Sequence, residues 1–171
     1  MLTALRDRQA DARALLGLGY LRSEEALPLL HNLLRQGWYA QYVLGAIAAI
    51  NPAGLNRTIL LEVLLSSTSS KSQLMETLIG IYSSFTLPQV GAKVGQAVLG
   101  QLTHSDYLIR YHALDALRKL YSVPSSDNIR EDDLFSLICK KDAPGAYRHA
   151  QQMFISKVPA ATLQQFSLQG S

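Results

Sequence analysis

One cysteine, Cys139, stands in 171 residues, so an internal disulfide framework is excluded and the chain suits a reducing compartment. Charge is sparse: Asp, Glu, Lys and Arg make up 17%, against 48% hydrophobic residues. That balance excludes a disordered chain and predicts one domain with a substantial core. Long apolar runs are missing. The cleanest, Val43 to Ile50, contains Gly45 and is far too short to span a bilayer. The opening MLTALRDRQADAR brings charge by Arg6 with no apolar stretch behind it, so no signal peptide is expected. A cytoplasmic protein without membrane contact is the expectation.

Concentrated charge of either sign is also absent. The net charge is +3, and residues 1–70 hold six basic and five acidic residues, 71–121 five and three, 122–171 five and five. With no basic block, specific nucleic-acid binding is not expected. Catalytic signatures are missing as well: there is no phosphate-binding G-x-x-x-x-G-K-[ST] and no G-x-S-x-G. Gly17-Leu18-Gly19 lies inside a helical pattern with no strand before it, which predicts close helix packing. The histidines His31, His104, His112 and His149 form no ligand set; His112 and Asp115, one helical turn apart, make half a metal site. Cys139 reads as a small core residue, Asn56-Arg57-Thr58 as a coincidental sequon, and Ser66–Ser72 as an inter-helix turn. Glu24-Glu25 and Glu131-Asp132-Asp133 stand at helix starts, where the dipole accounts for them. The expectation is therefore no catalysis, no cofactor and no metal.

What the chain has is helical periodicity. In YLIRYHALDALRKLY (Tyr107–Tyr121), Ile109, Ala113, Ala116, Leu117 and Leu120 share one sector. Tyr107, Tyr111, Asp115 and Arg118 lie roughly opposite. Ser105 is the expected N-cap, Asp106 suits the first turn, and Pro124 follows as a stop. The apolar pattern recurs: Leu15/Leu18/Leu21, Leu44/Ile47/Ile50, Met75/Leu78/Ile81, Leu114/Leu117/Leu120 and, more weakly, Tyr147/Ala150/Met153, at spacings of 29, 31, 39 and 33 residues. Between them lie Ser23–Gln36 (capped by Ser23), Gly54–Leu65, Leu87–Leu102 and Arg130–Lys141, with a further helix over Leu2–Arg8. No period-2 strand pattern appears. Periods of this size mark stacked helix pairs, each too small to bury its own face.

IRYHALDALRKL (Ile109–Leu120) and LGYLRSEEALPLL (Leu18–Leu30) resemble the second and first helices of a HEAT repeat, in particular the HEAT-like type of the phycobilisome-lyase class. The resemblance covers residues 10–121 best, with 122–171 a degenerate last repeat or cap. It implies an all-α, right-handed α-solenoid of four to five antiparallel helix pairs forming one domain over 1–171. It also implies a scaffold or adaptor that binds another protein on its concave face, with self-association possible. The family leaves two further readings open: nucleic-acid binding and a lyase subunit. Repeat register carries Asp115 onto Leu16, Gly45, Glu76 and Arg148, and Arg118 onto Gly19, Ala48, Ile79 and Gln151. The inner wall is thus expected to be small and apolar at its N-terminal end and charged at its C-terminal end. The partner-binding residues expected are Tyr107, Tyr111, Asp115, Arg118, Arg148 and Gln151, in a groove that receives a partner helix.

Overall fold

A computed structural model describes residues 12–126 and 132–167. Among these every regular element is helical and none is a strand. The helices are α1 (Ala12–Tyr20), α2 (Leu27–Arg35), α3 (Ala40–Ile50), α4 (Arg57–Leu65), α5 (Lys71–Ser84), the short α6 (Leu87–Val90), α7 (Ala92–Gly100), α8 (Tyr107–Tyr121), α9 (Asp133–Cys139), α10 (Pro144–Lys157) and α11 (Ala160–Ser167). The expected helix over Leu2–Arg8 and the Arg130-Glu131 start of the ninth lie outside the described residues.

Two rows of helices enclose the core. One runs α1, α3, α5, α8, each packed on the next. The other runs α2, α4, α7. Consecutive helices cross-link the rows: α2 with α3, α4 with α5, α7 with α8. The apolar face of α8 is buried as its spacing requires, with Ile109, Ala113, Ala116 and Leu117 all inaccessible. A leucine so placed contributes about 1.5–3 kcal/mol by leaving water. Glycine allows the closest crossings. A Cβ on Gly19 would lie 3.2 Å from the Ala46 Cα, and one on Gly80 2.6 Å from Leu44 Cδ1. The packing role expected of the Gly17–Gly19 stretch is thus found at Gly19.

Helix ends are satisfied locally. Asn56 accepts from the N–H groups of Thr58 and Ile59 at 3.1 and 3.3 Å, so the formal sequon is a helix cap. Ser70 caps α5 and Asp132 caps α9. The serine-rich turn is ordered: Ser66 Oγ and Thr68 Oγ1 are 2.8 Å apart, and Ser69 Oγ donates to the Val63 carbonyl.

Four sequence expectations need correction. The cap of α8 is Asp106 rather than Ser105. Its carboxylate takes the Leu108 N–H at 2.8 Å and also pairs with Lys71 at 2.8 Å, an anionic acceptor outdoing a hydroxyl. Ser23 precedes a 3-10 turn but its side chain caps nothing. Leu87–Leu102 is not one helix: Gly91, at φ +83° and ψ 158°, divides α6 from α7, and a 3-10 turn takes over at Gln101. Cys139 is exposed, because it ends α9 on the side away from the core.

Candidate interaction surface

Helix α8 has neighbours on most of its circumference. Beyond α5 and α7, α10 meets it where Tyr147 stacks under the Arg110 guanidinium, 4.0 Å from ring centroid to Cζ, and where Phe154 meets Tyr121 edge-on. Helix α9 covers the side bearing three of the four stripe residues. Tyr107 lies beside Cys139 at the end of α9. Tyr111 packs edge-to-face on Phe135, with centroids 6.2 Å apart. Arg118 pairs with Asp132 through a short hydrogen bond, its side chain only 14% exposed. The stripe expected to face a partner is therefore largely the seam between α8 and α9. The sector of α8 left open carries Leu108, Asp115 and Lys119, and Tyr107 beside it keeps 38% of its surface exposed.

The register also stops at α8. Helix α9 packs beside α8, and α10 packs on the turn that follows α7. Gln151 Nε2 donates to the Leu99 carbonyl at 2.9 Å, at the end of α7, rather than standing next to Arg118. Arg148 is exposed on α10. The last pair thus takes its places in the opposite order, and neither residue joins Asp115.

What the α1–α3–α5–α8 row does bring together is a different set. In α3, Ala46 and Ala49 meet Gly19 of α1, while Leu44 and Gln41 meet Gly80 of α5. Val43, Ile47 and Ile50 face the core. Between the two contact lines, on the side away from the core, lie Tyr42 and Gly45, with exposed Ala49 at the edge of the α1 line. A Cβ on Gly45 would meet only Ser84 Oγ, at 3.8 Å. Tyr42 is 39% exposed and stands edge-on to Tyr39, which in turn meets Trp38. On α1, Leu16 is 53% and Tyr20 89% exposed. On α5, helical phase puts Glu76 and Ile79 on this open side.

Its electrostatics are set by two half-buried carboxylates. Burial pushes the Asp115 carboxyl above its ordinary value, against the smaller opposing pull of His112, Arg118 and the neighbouring Tyr111 hydroxyl. Burial likewise holds His112 below its usual value, and its shielded Nδ1 has no hydrogen-bond partner. Tyr82 of α5 feels the same carboxylate. Glu76 accepts from Ser72 on Oε1 at 3.1 Å, while its shielded Oε2 has no partner. Helices α5 and α8 start side by side at the Lys71–Asp106 pair, so Glu76 and Asp115 share the open side with Glu76 about one turn nearer the helix starts.

Sequence reasoning missed the residues that staple the units. Arg110 is 2% exposed, and its guanidinium donates to the carbonyls of Ile138, His104, Ser105 and Lys140. Gln73 donates to the carbonyls of Leu34 and Arg35, and Gln101 to that of Leu64, as Gln151 does to Leu99. Each amide serves the C-terminal end of a helix in the α2–α4–α7 row, where orphan carbonyls need donors. The only signal available was glutamine placed among apolar positions.

Among the described residues no group of three or more His, Cys, Asp or Glu side chains is placed to hold a metal ion, and no helix is long and apolar enough to cross a membrane. A scan against family models and searches of curated proteins and of solved structures return no match.

Proposed function

We propose that this chain is a HEAT-like, right-handed α-solenoid. In this reading it is a scaffold or adaptor that receives a helix of a partner protein on the concave side of the α1–α3–α5–α8 row. Gly45 carries the reading. A glycine within a helix costs about 0.5–1 kcal/mol relative to alanine. Gly19, Gly80 and Gly95 offset that cost, because a Cβ there would collide with Ala46, Leu44 or Tyr121. Gly45 has no such neighbour, and it lies between exposed Tyr42 and Ala49. An open glycine beside exposed aromatics supports a groove floor that admits another backbone closely. Glu76 and Asp115 on the same side repel phosphate, which weighs against nucleic acid as the occupant. The reading assigns no reaction, and needs no metal or cofactor.

The test is affinity capture from native lysate with three baits: wild type, Gly45→Trp, and Gly145→Trp. Gly145 also has nothing near its Cβ position but lies at the start of α10, away from the groove. A protein kept by wild type and Gly145→Trp and lost with Gly45→Trp is the expected result. Equal retention by all three baits overturns the groove.

A further inference from the structure

We propose that the segment received by this face is a basic amphipathic helix, its apolar stripe lying on Tyr42, Gly45 and Ala49 and its arginine or lysine side chains reaching Glu76 and Asp115. This rests on the groove reading above and narrows the partner's chemistry.

Charge complementarity carries the argument. By repeat register the face would hold acids and arginines together, and so suit a partner of mixed charge. The fold removes the arginines. Arg118 is committed to Asp132 under α9, and Arg148 belongs to α10. Gln151 is committed to the Leu99 carbonyl. Among the described residues no ion pair joins Glu76 or Asp115 to a cation. Lys119 shares the open sector but is exposed and pairs with neither. His112, the nearest basic side chain on the same sector, is held towards its neutral form by burial.

Both carboxylates are thus half-buried without an ion pair, Glu76 with one shielded oxygen unpartnered and Asp115 with only the weaker pull of His112 and Arg118. A shielded acceptor lacking its hydrogen bond costs free energy that a donor from outside recovers. An arginine fork or an ammonium supplies both charge and donors. Tyr82 and Tyr111, both half-buried, stand close enough to Asp115 to feel its charge. Towards α3 and α1 the same face becomes apolar, with no acid among Leu16, Tyr42, Gly45 and Ala49. An occupant that satisfies both ends is apolar along one stripe and basic on its flank.

Three fluorescently labelled peptides with one Leu/Ala stripe and arginine, glutamine or glutamate on the flank test this by anisotropy. The arginine peptide is expected to bind wild type about tenfold more tightly than the glutamine peptide, a difference in Kd worth about 1.4 kcal/mol. The glutamate peptide is expected to bind least. In Glu76→Gln/Asp115→Asn the arginine advantage is expected to vanish while the glutamine peptide binds as before. The substitutions are isosteric and remove uncompensated charge, and a melt at or above the wild-type temperature shows that the fold is kept. An arginine advantage that survives in the double variant, or none in wild type, overturns the proposal. If the glutamine peptide still binds wild type and is displaced by Gly45→Trp, the groove reading stands without the charge. If Gly45→Trp changes the binding of no peptide, both fall.

Discussion

The units built from α1 to α8 and the pair α9–α10 hold together by different means. In the first region neighbouring helices of the α1–α3–α5–α8 row meet through small and aliphatic side chains: Gly19 on Ala46 and Ala49, Gly80 on Leu44. In the second, α9 and α10 are fastened to α8 by polar groups. Arg110 donates to four carbonyls, Arg118 pairs with Asp132, and the Tyr147 hydroxyl donates to the Lys140 carbonyl. Apolar stacking repeats because any unit presents the same surface to the next. Polar links also join the earlier units, at Gln73, Arg57 and Gln101, but the largely buried guanidinium groups of Arg110 and Arg118 fasten only the last junction among the described residues. That junction is where the α-helical register breaks and the last pair reverses its order.

The sharpest way to separate the two modes is to remove one fastening from each. Arg110→Ala leaves four carbonyls without their donor and Tyr147 without its cation. We expect a loss of about 3–5 kcal/mol in urea unfolding, the size found when a buried charged network is broken from one side. Arg110→Lys restores the charge but not the planar fork and should recover little of it. A loss below about 1 kcal/mol for Arg110→Ala shows that the junction is held by apolar contact after all.

Arg118→Ala strikes the same junction at its rim. Exposed substitutions usually change stability by less than about 0.5 kcal/mol. Arg118 is not one of them, because its loss leaves the largely buried Asp132 carboxylate without its cation. The expected cost is about 1–3 kcal/mol. A neutral result in thermal melts separates the seam from the fold and returns Arg118 to the set free for a partner.

Glycines test the stacked region. Gly80→Ala places a methyl 2.6 Å from Leu44 Cδ1, 2.9 Å from Leu44 Cβ and 3.2 Å from the Gln41 Cα, and the last two cannot swing aside. Overpacking of this kind costs about 1–3 kcal/mol. Gly45→Ala, one helix away, meets nothing closer than 3.8 Å and should stabilise by about 0.4–1 kcal/mol. Opposite signs for two substitutions of the same chemistry are the prediction. If Gly45→Ala also destabilises, the open groove floor is not there.

Much of the helical architecture was legible because it rests on periodicity. The apolar face of α8, with Ile109, Ala113, Ala116, Leu117 and Leu120 all buried, follows from residue spacing alone, and the breakers near Asn51-Pro52 and Pro124 mark real helix ends. Three things were not legible. A broken helix such as α6–α7 depends on one glycine adopting positive φ, and an isolated glycine in an apolar pattern does not announce it. The reversal of α9 and α10 is a tertiary choice with no local signature. The polar staples need two distant partners, as Gln73 and the end of α2 do across 39 residues. The candidate site suffered most from the second. Helical phase correctly grouped Tyr107, Tyr111, Asp115 and Arg118, but only packing decides which neighbour that sector meets. Asp115, at the edge of the sector, escaped α9.

Two aspartates, one in each region, give the finest comparison. Burial alone pushes both carboxyls up. At Asp132 the Phe135 N–H and the Arg118 guanidinium outweigh it and hold the group below its ordinary range. At Asp115 burial wins and the group stays above it. A depressed folded pKa stabilises above the unfolded value, about 3.9, and that stability is lost as pH falls through the lower folded value. A raised folded pKa does the reverse: the charged group destabilises at neutral pH, and acid relieves it as pH drops through the raised value. Asp132→Asn should therefore melt below wild type at neutral pH, with a deficit that persists down to about pH 4 and closes only beneath it. Asp115→Asn should melt slightly above wild type at neutral pH, with an advantage that shrinks while the pH is still above about 4. Melts of the three proteins across the acid range check both windows at once. An Asp115→Asn variant that melts below wild type at neutral pH would mean that the carboxylate already has its cation within the chain, and the face would then have no charge left to offer a basic partner.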